Sequence, residues 1–348
     1  MKEYPKVSVI ILNAFSTNNL KECLESVEKT EYSNFEVIVV DCLTPGIRDF
    51  ININFHWLQL ISLDRDIGPS AMHNVGIKKV DPHAKYVVFL DNDTVVDKNW
   101  LGELVSCMEM GSDIGGGQAK ILLYDNPTVL NTNGNKANYL AIGWPDGYGS
   151  MDSDDDMIRE ISFPSGAAMI LRKDVLEKTG MFDVDYFIYA DDLDIGLRIN
   201  LAGYKVIYCP KSIVYHKYKF LKGRRNFYYL NRNRIQTFLK LYKTRTYFLL
   251  IPAILMYEVF VLGYAVLNGF VKELLKVYVD IIKNMNKIRQ KRSEVRKYKV
   301  ISDKELITRL EGAINFSEIS DNLTVKYLLN PFLDGYKKLL IRNWRRKV

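Results

Sequence analysis

The chain has 348 residues, a formal net charge of +7 and 48% hydrophobic residues, enough apolar content for two or three structural units. Its four cysteines have no paired spacing, which argues against a disulfide framework or a zinc site and fits a reducing compartment. Residues 1–216 hold 19 Lys and Arg against 31 Asp and Glu, whereas residues 217–348 hold 29 against 10. The acidic part can therefore bind cations, and the basic part can face phosphate groups.

Short apolar runs alternate with amphipathic segments as far as Met110. The predicted strands are Val7–Leu12, Phe35–Val40, Trp57–Leu63 and Tyr86–Leu90. The predicted helices run from Asn18 to about Thr30, from Gly68 to Val80 and from Trp100 to Met110. Strands that alternate with helices indicate a parallel, doubly wound sheet. The run Val7–Leu12 is too short for the core of a signal peptide, so we expect none at the start.

The middle of the chain has a weaker pattern. The many Gly and Asn residues between Gly111 and Ser150 predict loops, and the acidic run Ser153–Asp156 is typical of a solvated loop. We further predict a strand at Ala167–Leu171 and helices at Asp174–Thr179 and Asp192–Leu201. Two short strands are predicted at Lys205–Tyr208 and Ile213–Tyr215.

Two carboxylates, Asp91 and Asp93, follow the apolar run Val87–Leu90 and are separated by Asn92. In an open α/β sheet, ligands bind beyond the carboxyl ends of the strands. Two acids on such a turn suit a hard divalent cation, which takes oxygen ligands and can bridge phosphates. A turn that uses Asp and Asn for local hydrogen bonds would have the same sequence.

A second acidic cluster, Asp191, Asp192 and Asp194, opens a predicted helix. Repulsion among these acids is expected to raise the pKa of at least one of them. An acidic helix start that complements the helix dipole gives the same pattern, and the two interpretations are compatible. His216 ends the last predicted strand, where it can serve as a metal ligand or as a structural hydrogen-bonding group.

Beyond His216 the chain is first basic and aromatic, over residues 217–245, and then apolar. Tyr247–Leu267 supplies 21 mostly apolar residues, about 30 Å of helix, interrupted by Pro252 and Glu258. Gly269–Ile288 predicts a basic amphipathic helix. Because Lys and Arg flank both ends of the apolar segment, we predict peripheral helices that lie on an anionic membrane. A spanning helix and a soluble helical unit that forms a homo-oligomer are the alternatives.

The stretch Phe163–His216, together with the motifs VSVIIL, EVIVVD, DIGPSAMHNVGI and FLDND, resembles the family-2 glycosyltransferases. Within that family it is similar to the rhamnosyl- and galactofuranosyltransferase-like enzymes of surface glycan assembly. The resemblance covers about residues 5–245. It implies an α/β GT-A fold, with a Rossmann-like, mostly parallel sheet, in a catalytic domain at residues 1–245. Residues 246–348 would form a helical region for membrane association or oligomerisation.

The resemblance also implies a reaction and its site. A sugar would pass, with inversion, from a UDP-, GDP- or dTDP-linked donor to a glycan or lipid-linked acceptor at the cytoplasmic face of the cell membrane. Asp192 would be the general base, and Asp93 and His216 would bind Mg²⁺ or Mn²⁺. The donor-binding residues would be Leu12, Ala14, Asp41, Asn74, Asp91 and Asn92, with Asp41 reading the nucleobase and Asp91 near the ribose. The acceptor-side residues would be Asp191, Ser165 and Gly166.

Several positions depart from the family pattern. Asp191 stands where Glu is usual, Phe15 and Asp66 stand where Asn is frequent, and Met72-His73 replaces a frequent Ala-Arg pair. The catalytic set is intact, but these departures leave the identity of the donor open.

Two other classes compete with this interpretation. A nucleotidyltransferase also uses an α/β sheet with paired acids, but the chain has no basic Gly-rich triphosphate loop near its start. A nucleic-acid-binding protein would explain the basic, aromatic half, but it would not need the apolar segment Tyr247–Leu267. We therefore expect no nucleic-acid partner.

Overall fold

The computed structural model describes residues 4–153, 155–218 and 223–345. Asp154 of the predicted acidic loop and residues 219–222 of the basic stretch lie outside these ranges. The chain forms two compact units. The first comprises Met1–Gly134, Gly147–Ile199 and Tyr204–Lys219, and the second comprises Asn135–Asp146, Asn200–Gly203 and Phe220–Val348. The functional boundary at residue 245 stays a prediction.

The first unit is built on a sheet whose described part has ten strands. Its strands are β1 (Val7–Ala14), β2 (Phe35–Cys42), β3 (Gln59–Leu63), β4 (Tyr86–Asp91), β5 (Thr94–Val96), β6 (Ile114–Leu123), β7 (Asn126–Thr132), β10 (Arg159–Glu160), β11 (Ala168–Arg172) and β12 (Lys205–His216). The remaining two described strands, β8 (Asn135–Asn138) and β9 (Ile142–Pro145), pair with each other in the second unit.

The order across the sheet is β10-β12-β6-β11-β4-β1-β2-β3, with β5 paired to β12 and β7 paired to β6. Strands β3, β2, β1 and β4 are parallel neighbours, and β6 and β12 are also parallel. Strand β11 is antiparallel to both of its neighbours. The predicted α/β fold class is confirmed as a mixed, parallel-rich sheet.

Helices cover both faces of this sheet. They are α1 (Asn18–Val27), α2 (Ile47–Asn54), α3 (Pro69–Ile77), α4 (Trp100–Met108), α5 (Lys173–Thr179) and α6 (Asp191–Leu201). Successive side chains of β1 point to opposite faces of the sheet. Val9 and Ile11 pack with α1 and α4, whereas Ile10 packs with Met72 of α3. This burial on both faces explains why VSVIIL is mostly apolar, with Ser8 as its one polar residue, rather than alternating.

The expectation of loops between Gly111 and Ser150 is wrong, because β6, β7, β8 and β9 lie there. Three consecutive glycines in β6 allow close packing. A Cβ atom on Gly115 would lie 2.8 Å from the Cβ of Tyr204, and one on Gly116 would lie 2.9 Å from Leu171. Here the glycines make room in the core and do not mark turns.

The expectation of two short strands around Pro210 is also wrong, because they form the single strand β12. A register shift between Cys209 and Ile213 accommodates the proline, which cannot donate a ladder hydrogen bond.

The second unit is mainly helical. Its helices are α7 (Arg224–Leu241), α8 (Thr244–Asn268), α9 (Val271–Lys283), α10 (Met285–Tyr298), α11 (Asp303–Arg309), α12 (Ser317–Ser320) and α13 (Asn330–Arg345), with a π-helical segment at Val325–Leu329. The single helix predicted at Gly269–Ile288 is divided at Asn284 into α9 and α10. Among the described residues, α8 is the one helix long and apolar enough to cross a membrane by length and composition.

Candidate functional site

The site residues gather where the parallel strands β2, β1 and β4 reach their carboxyl ends. In register, Asp41 of β2 lies opposite Asn13 of β1, and Asp91 of β4 lies opposite Leu12. Ala14 ends β1 and pairs with Cys42. The sheet therefore brings Leu12, Ala14, Asp41 and Asp91 to a single edge, the position at which α/β sheets bind ligands.

A hydrogen-bond chain joins these strand ends. Asn92 Nδ2 donates to Asn13 Oδ1 over 2.6 Å, and Asn13 Nδ2 donates to Asp41 Oδ1 over 2.6 Å. The backbone N–H of Thr44 donates to the other oxygen of Asp41, which is fully buried. Asp41 therefore holds Asn13 and Thr44 in place, and its contact with a nucleobase stays a prediction. The sequence analysis did not single out Asn13, a polar residue at the end of an apolar strand.

Asp91, Asp93 and His216 form one cluster, with ligand atoms that all lie within 4.8 Å of one another. Strand β5 directs the turn after β4 towards β12, because Thr94 pairs with His216 in the ladder. His216 Nε2 then lies 3.2 Å from Asp93 Oδ1. The topology thus joins the D-x-D turn to a histidine far along the chain.

The orientation of His216 suits a metal ligand. Its Nδ1 lies 2.9 Å from the amide oxygen of Asn131, which can only accept a hydrogen bond, so Nδ1 carries the proton. In the neutral ring the Nε2 lone pair then points towards Asp93, as in ligating histidines held by an outer acceptor. Two carboxylates and one imidazole fit a divalent cation such as Mn²⁺ or Mg²⁺.

The electrostatics of the cluster favour a cation. Burial raises the pKa of Asp91 to about 6, and the charge of Asp93 adds to this. Burial alone would lower the pKa of His216, but the Nε2–H of the protonated ring donates to Asp93, and this hydrogen bond and the charge of Asp93 make the net shift upward. Both shifts reflect negative charge concentrated in a partly buried place, which a bound cation relieves.

The three acids at the start of α6 have different environments. Asp192 accepts hydrogen bonds from the backbone N–H groups of Leu193, at 2.7 Å, and Gly166, at 3.3 Å. Burial, followed by the charge of Asp191, raises the pKa of Asp192 to about 7. Asp194 is fully buried and pairs with Arg198 over 2.8 Å. The sequence predicted at least one raised pKa, and Asp192 fits a general base that works near neutral pH.

Asp191 is held by the start of α3. Ser70 Oγ donates to Asp191 Oδ2 over 3.0 Å, and burial raises the pKa of this acid. The segment before Asp191 has left-handed backbone at Phe187, Tyr189 and Ala190, with φ of 62°, 68° and 60°. Such strain costs free energy and is typical of functional sites. Sequence reasoning missed Ser70, because its role depends on a partner remote in the chain.

Gly68 fixes this strained segment by its small size. Its φ is +78°, and a Cβ atom there would lie 2.6 Å from the carbonyl oxygen of Phe187. A larger residue would push the Phe187–Ala190 segment, and with it the start of α6, out of position.

The remaining predicted residues lie in two places. Ser165 and Gly166 form a turn beside Asp192, where the Ser165 N–H donates to the buried Gln118. The side chain of Asn74 is buried, and its amide exchanges hydrogen bonds of 2.8 and 3.0 Å with the backbone of Phe182. Asn74 anchors the chain that leads to Asp191, and its contact with a donor stays a prediction.

The departure Met72-His73 also has a structural role. Both side chains are buried, and the His73 ring stacks on Phe182 with centroids 4.6 Å apart. Burial lowers the pKa of His73 to about 3, so this residue is an uncharged core aromatic.

The sequence model of the family described as "Glycosyltransferase like family 2" matches residues 5–236. Among curated proteins, the O-antigen biosynthesis protein RfbC of Myxococcus xanthus is 27% identical over 230 residues. The match covers 61% of this chain but only 17% of that relative, so the chain spans a small part of its length.

Two solved structures share the fold. S. aureus TarS 1-349, in complex with UDP, has a TM-score of 0.52 and 16% identity, with 99% of this chain and 92% of that chain covered. The mannosyltransferase PcManGT from Pyrobaculum calidifontis, in complex with GDP-Man and Mn²⁺, has a TM-score of 0.51 and 15% identity, with 85% and 86% covered. These likenesses confirm the predicted fold class.

Proposed function

This chain belongs to the glycosyltransferase-like family 2, and we propose that it transfers a hexosyl or deoxyhexosyl group, with inversion, from a nucleotide-sugar donor to an acceptor hydroxyl. One observation carries the proposal: Asp91, Asp93 and His216 converge within 4.8 Å at the carboxyl edge of the sheet. Mg²⁺ or Mn²⁺ held there would stabilise the negative charge that develops on the leaving nucleoside diphosphate.

The nucleoside part of the donor is proposed to lie across the ends of β1 and β2. Leu12 and Ala14 supply backbone at this edge. The hydrogen bonds that link Asn92, Asn13 and Asp41 fix polar groups beside it. The diphosphate then reaches Asp93 and His216. The two similar structures contain UDP in one case and GDP-Man with Mn²⁺ in the other, which supports this class of donor.

Asp192 is the proposed general base. It takes the proton of the acceptor hydroxyl as that oxygen bonds to the anomeric carbon and the bond to the diphosphate breaks. A pKa of about 7 leaves a large ionised fraction at neutral pH and still gives a basic carboxylate. Gly166 and Asp191 lie beside Asp192 on the proposed acceptor side, and Ser165 precedes Gly166 in the chain.

The acceptor is proposed to be a glycan or a lipid-linked glycan. The catalytic domain is proposed to be residues 1–245. The name of the Myxococcus relative, an O-antigen biosynthesis protein, supports a surface glycan.

A screen of nucleotide sugars tests the proposal. The purified chain is incubated with UDP-, GDP- and dTDP-linked sugars, with Mn²⁺ or with a chelator, and both thermal unfolding and release of nucleoside diphosphate are measured. We expect at least one donor to stabilise the protein, by about 2.7 kcal/mol at a hundredfold excess over its Kd, and only with the metal. If thermal stabilisation and release of nucleoside diphosphate were the same with Mn²⁺ and with the chelator for every donor, the proposal would be contradicted.

A matched pair of variants locates the effect. Asp93→Asn should abolish metal-dependent stabilisation, whereas Asp125→Asn should not, because Asp125 is an exposed acid in the turn after β6. Equal stabilisation of both variants would remove Asp93 from the metal site.

A further inference from the structure

Helix α8 of the second unit has an inner face that is fixed by polar contacts. Glu258 accepts hydrogen bonds from Arg234 of α7 and, over 2.6 Å, from the hydroxyl of Tyr278 of α9. Val261 and Ala265 on the same side are buried against Leu274. Glu258 therefore points into the helical unit, so its charge does not oppose contact between the other side of α8 and an apolar phase.

The outer face of α8 is a continuous apolar stripe. Its residues recur at intervals of three and four and are between 42% and 69% exposed: Phe248, Ile251, Leu255, Val259, Leu262 and Val266. Helix α9 exposes Val271, Leu275, Val279 and Ile282 in the same way. Exposed apolar residues are normal when they are scattered, but stripes of this length mark an interaction surface.

Basic residues accompany the apolar stripes. Lys272, Lys276 and Lys283 are exposed on α9, each next in sequence to a member of its apolar stripe. Residues 217–348 as a whole hold 29 Lys and Arg against 10 Asp and Glu. A second copy of this chain would bring the same positive charge against it, whereas anionic headgroups complement it.

We propose that α8 and α9 together form a docking face for an anionic membrane and lie in the plane of its interface. The inner contacts oppose a spanning arrangement. Glu258 lies near the middle of α8, so a spanning α8 would carry its partner Arg234 towards the centre of the bilayer. With both helices flat, the aliphatic stripes enter the acyl boundary and the lysines stay among the headgroups. This proposal concerns binding and does not rest on the proposed function.

The test is co-sedimentation of the full chain with vesicles of phosphatidylglycerol and phosphatidylcholine, compared with vesicles of phosphatidylcholine alone. We expect binding to the anionic vesicles that weakens as salt increases. The double variant Leu255→Gln, Leu262→Gln should weaken partitioning by on the order of tenfold for each leucine. The control, Ile53→Gln with Met110→Gln, changes two exposed apolar residues of the first unit and should bind normally.

A second set of variants tests the electrostatic part. Replacing Lys272, Lys276 and Lys283 by Gln should weaken binding to anionic vesicles by about fivefold per lysine. Normal binding by both variant sets, or no binding by the unchanged chain, would overturn the proposal. Loss of a homodimer in the leucine variant, without vesicle binding by the unchanged chain, would assign the face to a second copy. Binding that resists high salt and alkaline carbonate would instead indicate a spanning helix.

Discussion

The carboxyl edge of the sheet and the helical second unit both bury acidic groups, but the partners of these acids differ. In the helical unit, Glu258 has Arg234 as a partner, and Asp303 has Lys299. At the sheet edge, Asp192 accepts its described hydrogen bonds from backbone N–H groups, and burial raises its pKa to about 7. Neutralised charges hold elements together, whereas acids with raised pKa values are available for proton transfer or cation binding.

Helix α6 contains both cases two residues apart, within its first turn. Asp194 is paired with Arg198, which also donates to the backbone carbonyl of Thr179 over 2.6 Å. Asp192, two residues earlier, has no such cation among its described contacts. Within this single acidic motif, Asp194 is thus a structural acid, whereas Asp192 is the acid that we propose as the general base. The following experiments test that separation.

The largest expected effect is that of Asp192→Asn on turnover. Removal of the base should lower kcat by at least about a thousandfold, because base catalysis supplies rate factors of about this size. Donor binding with Mn²⁺ should stay within about twofold, since only the proton acceptor is lost. Steady-state kinetics and donor titration check both results, with Asp125→Asn as the control. Normal turnover would exclude Asp192 as the base.

The next largest effect is that of Arg198→Met on stability. The variant leaves Asp194 buried without its cation, which should lower the free energy of unfolding by about 3–5 kcal/mol. The double variant Asp194→Leu, Arg198→Met should recover part of this loss, because it removes the stranded charge as well. Urea denaturation measures both variants. A loss below about 1 kcal/mol in the single variant would show that the pair is not structural.

A smaller effect is expected for Asn131→Ala. Its amide oxygen orients His216, and loss of such an outer partner lowers metal affinity by about 10- to 100-fold. Calorimetric titration with Mn²⁺ in the presence of nucleoside diphosphate measures the change. An unchanged affinity would mean that His216 is oriented by other contacts or does not bind the metal.

The smallest effect is the pH dependence that comes from Asp192. Its ionised form is the active one, so kcat should rise with pH and level off above about 7. Stability has the opposite sign. The folded protein binds this proton more tightly than the unfolded chain, in which the pKa of the Asp192 carboxyl is near 3.8. The contribution of Asp192 to stability therefore falls as pH rises towards 7. In Asp192→Asn this part of the stability profile should disappear. A kcat profile that is flat between pH 5 and 8 would contradict the assignment.

Much of the sheet could be predicted because buried parallel strands have a strong local pattern. The runs at Val7–Leu12, Phe35–Val40 and Tyr86–Leu90 lie within β1, β2 and β4. Strand β6 was missed because its glycines look like turn residues, and their packing against Tyr204 and Leu171 depends on distant parts of the chain. Local sequence does not encode such neighbours.

The site residues likewise form two groups, those that a local motif indicates and those that act through a distant partner. Asp91, Asp93 and the acids of α6 follow recognisable elements, so the sequence pointed to them. Asn131 and Ser70 carry no motif, because each acts through a hydrogen bond to a residue far away in the chain. Glu258 interrupts an apolar segment in the sequence, and only the fold shows that it faces its partner Arg234, on another helix.

The most direct test of the account is calorimetric titration of Mn²⁺ into the unchanged chain, Asp93→Asn and Asp125→Asn, with nucleoside diphosphate present. The account predicts that Asp125→Asn binds like the unchanged chain and that Asp93→Asn loses at least about tenfold in affinity. Equal Mn²⁺ affinity in all three proteins would contradict the central claim that Asp91, Asp93 and His216 form the metal site.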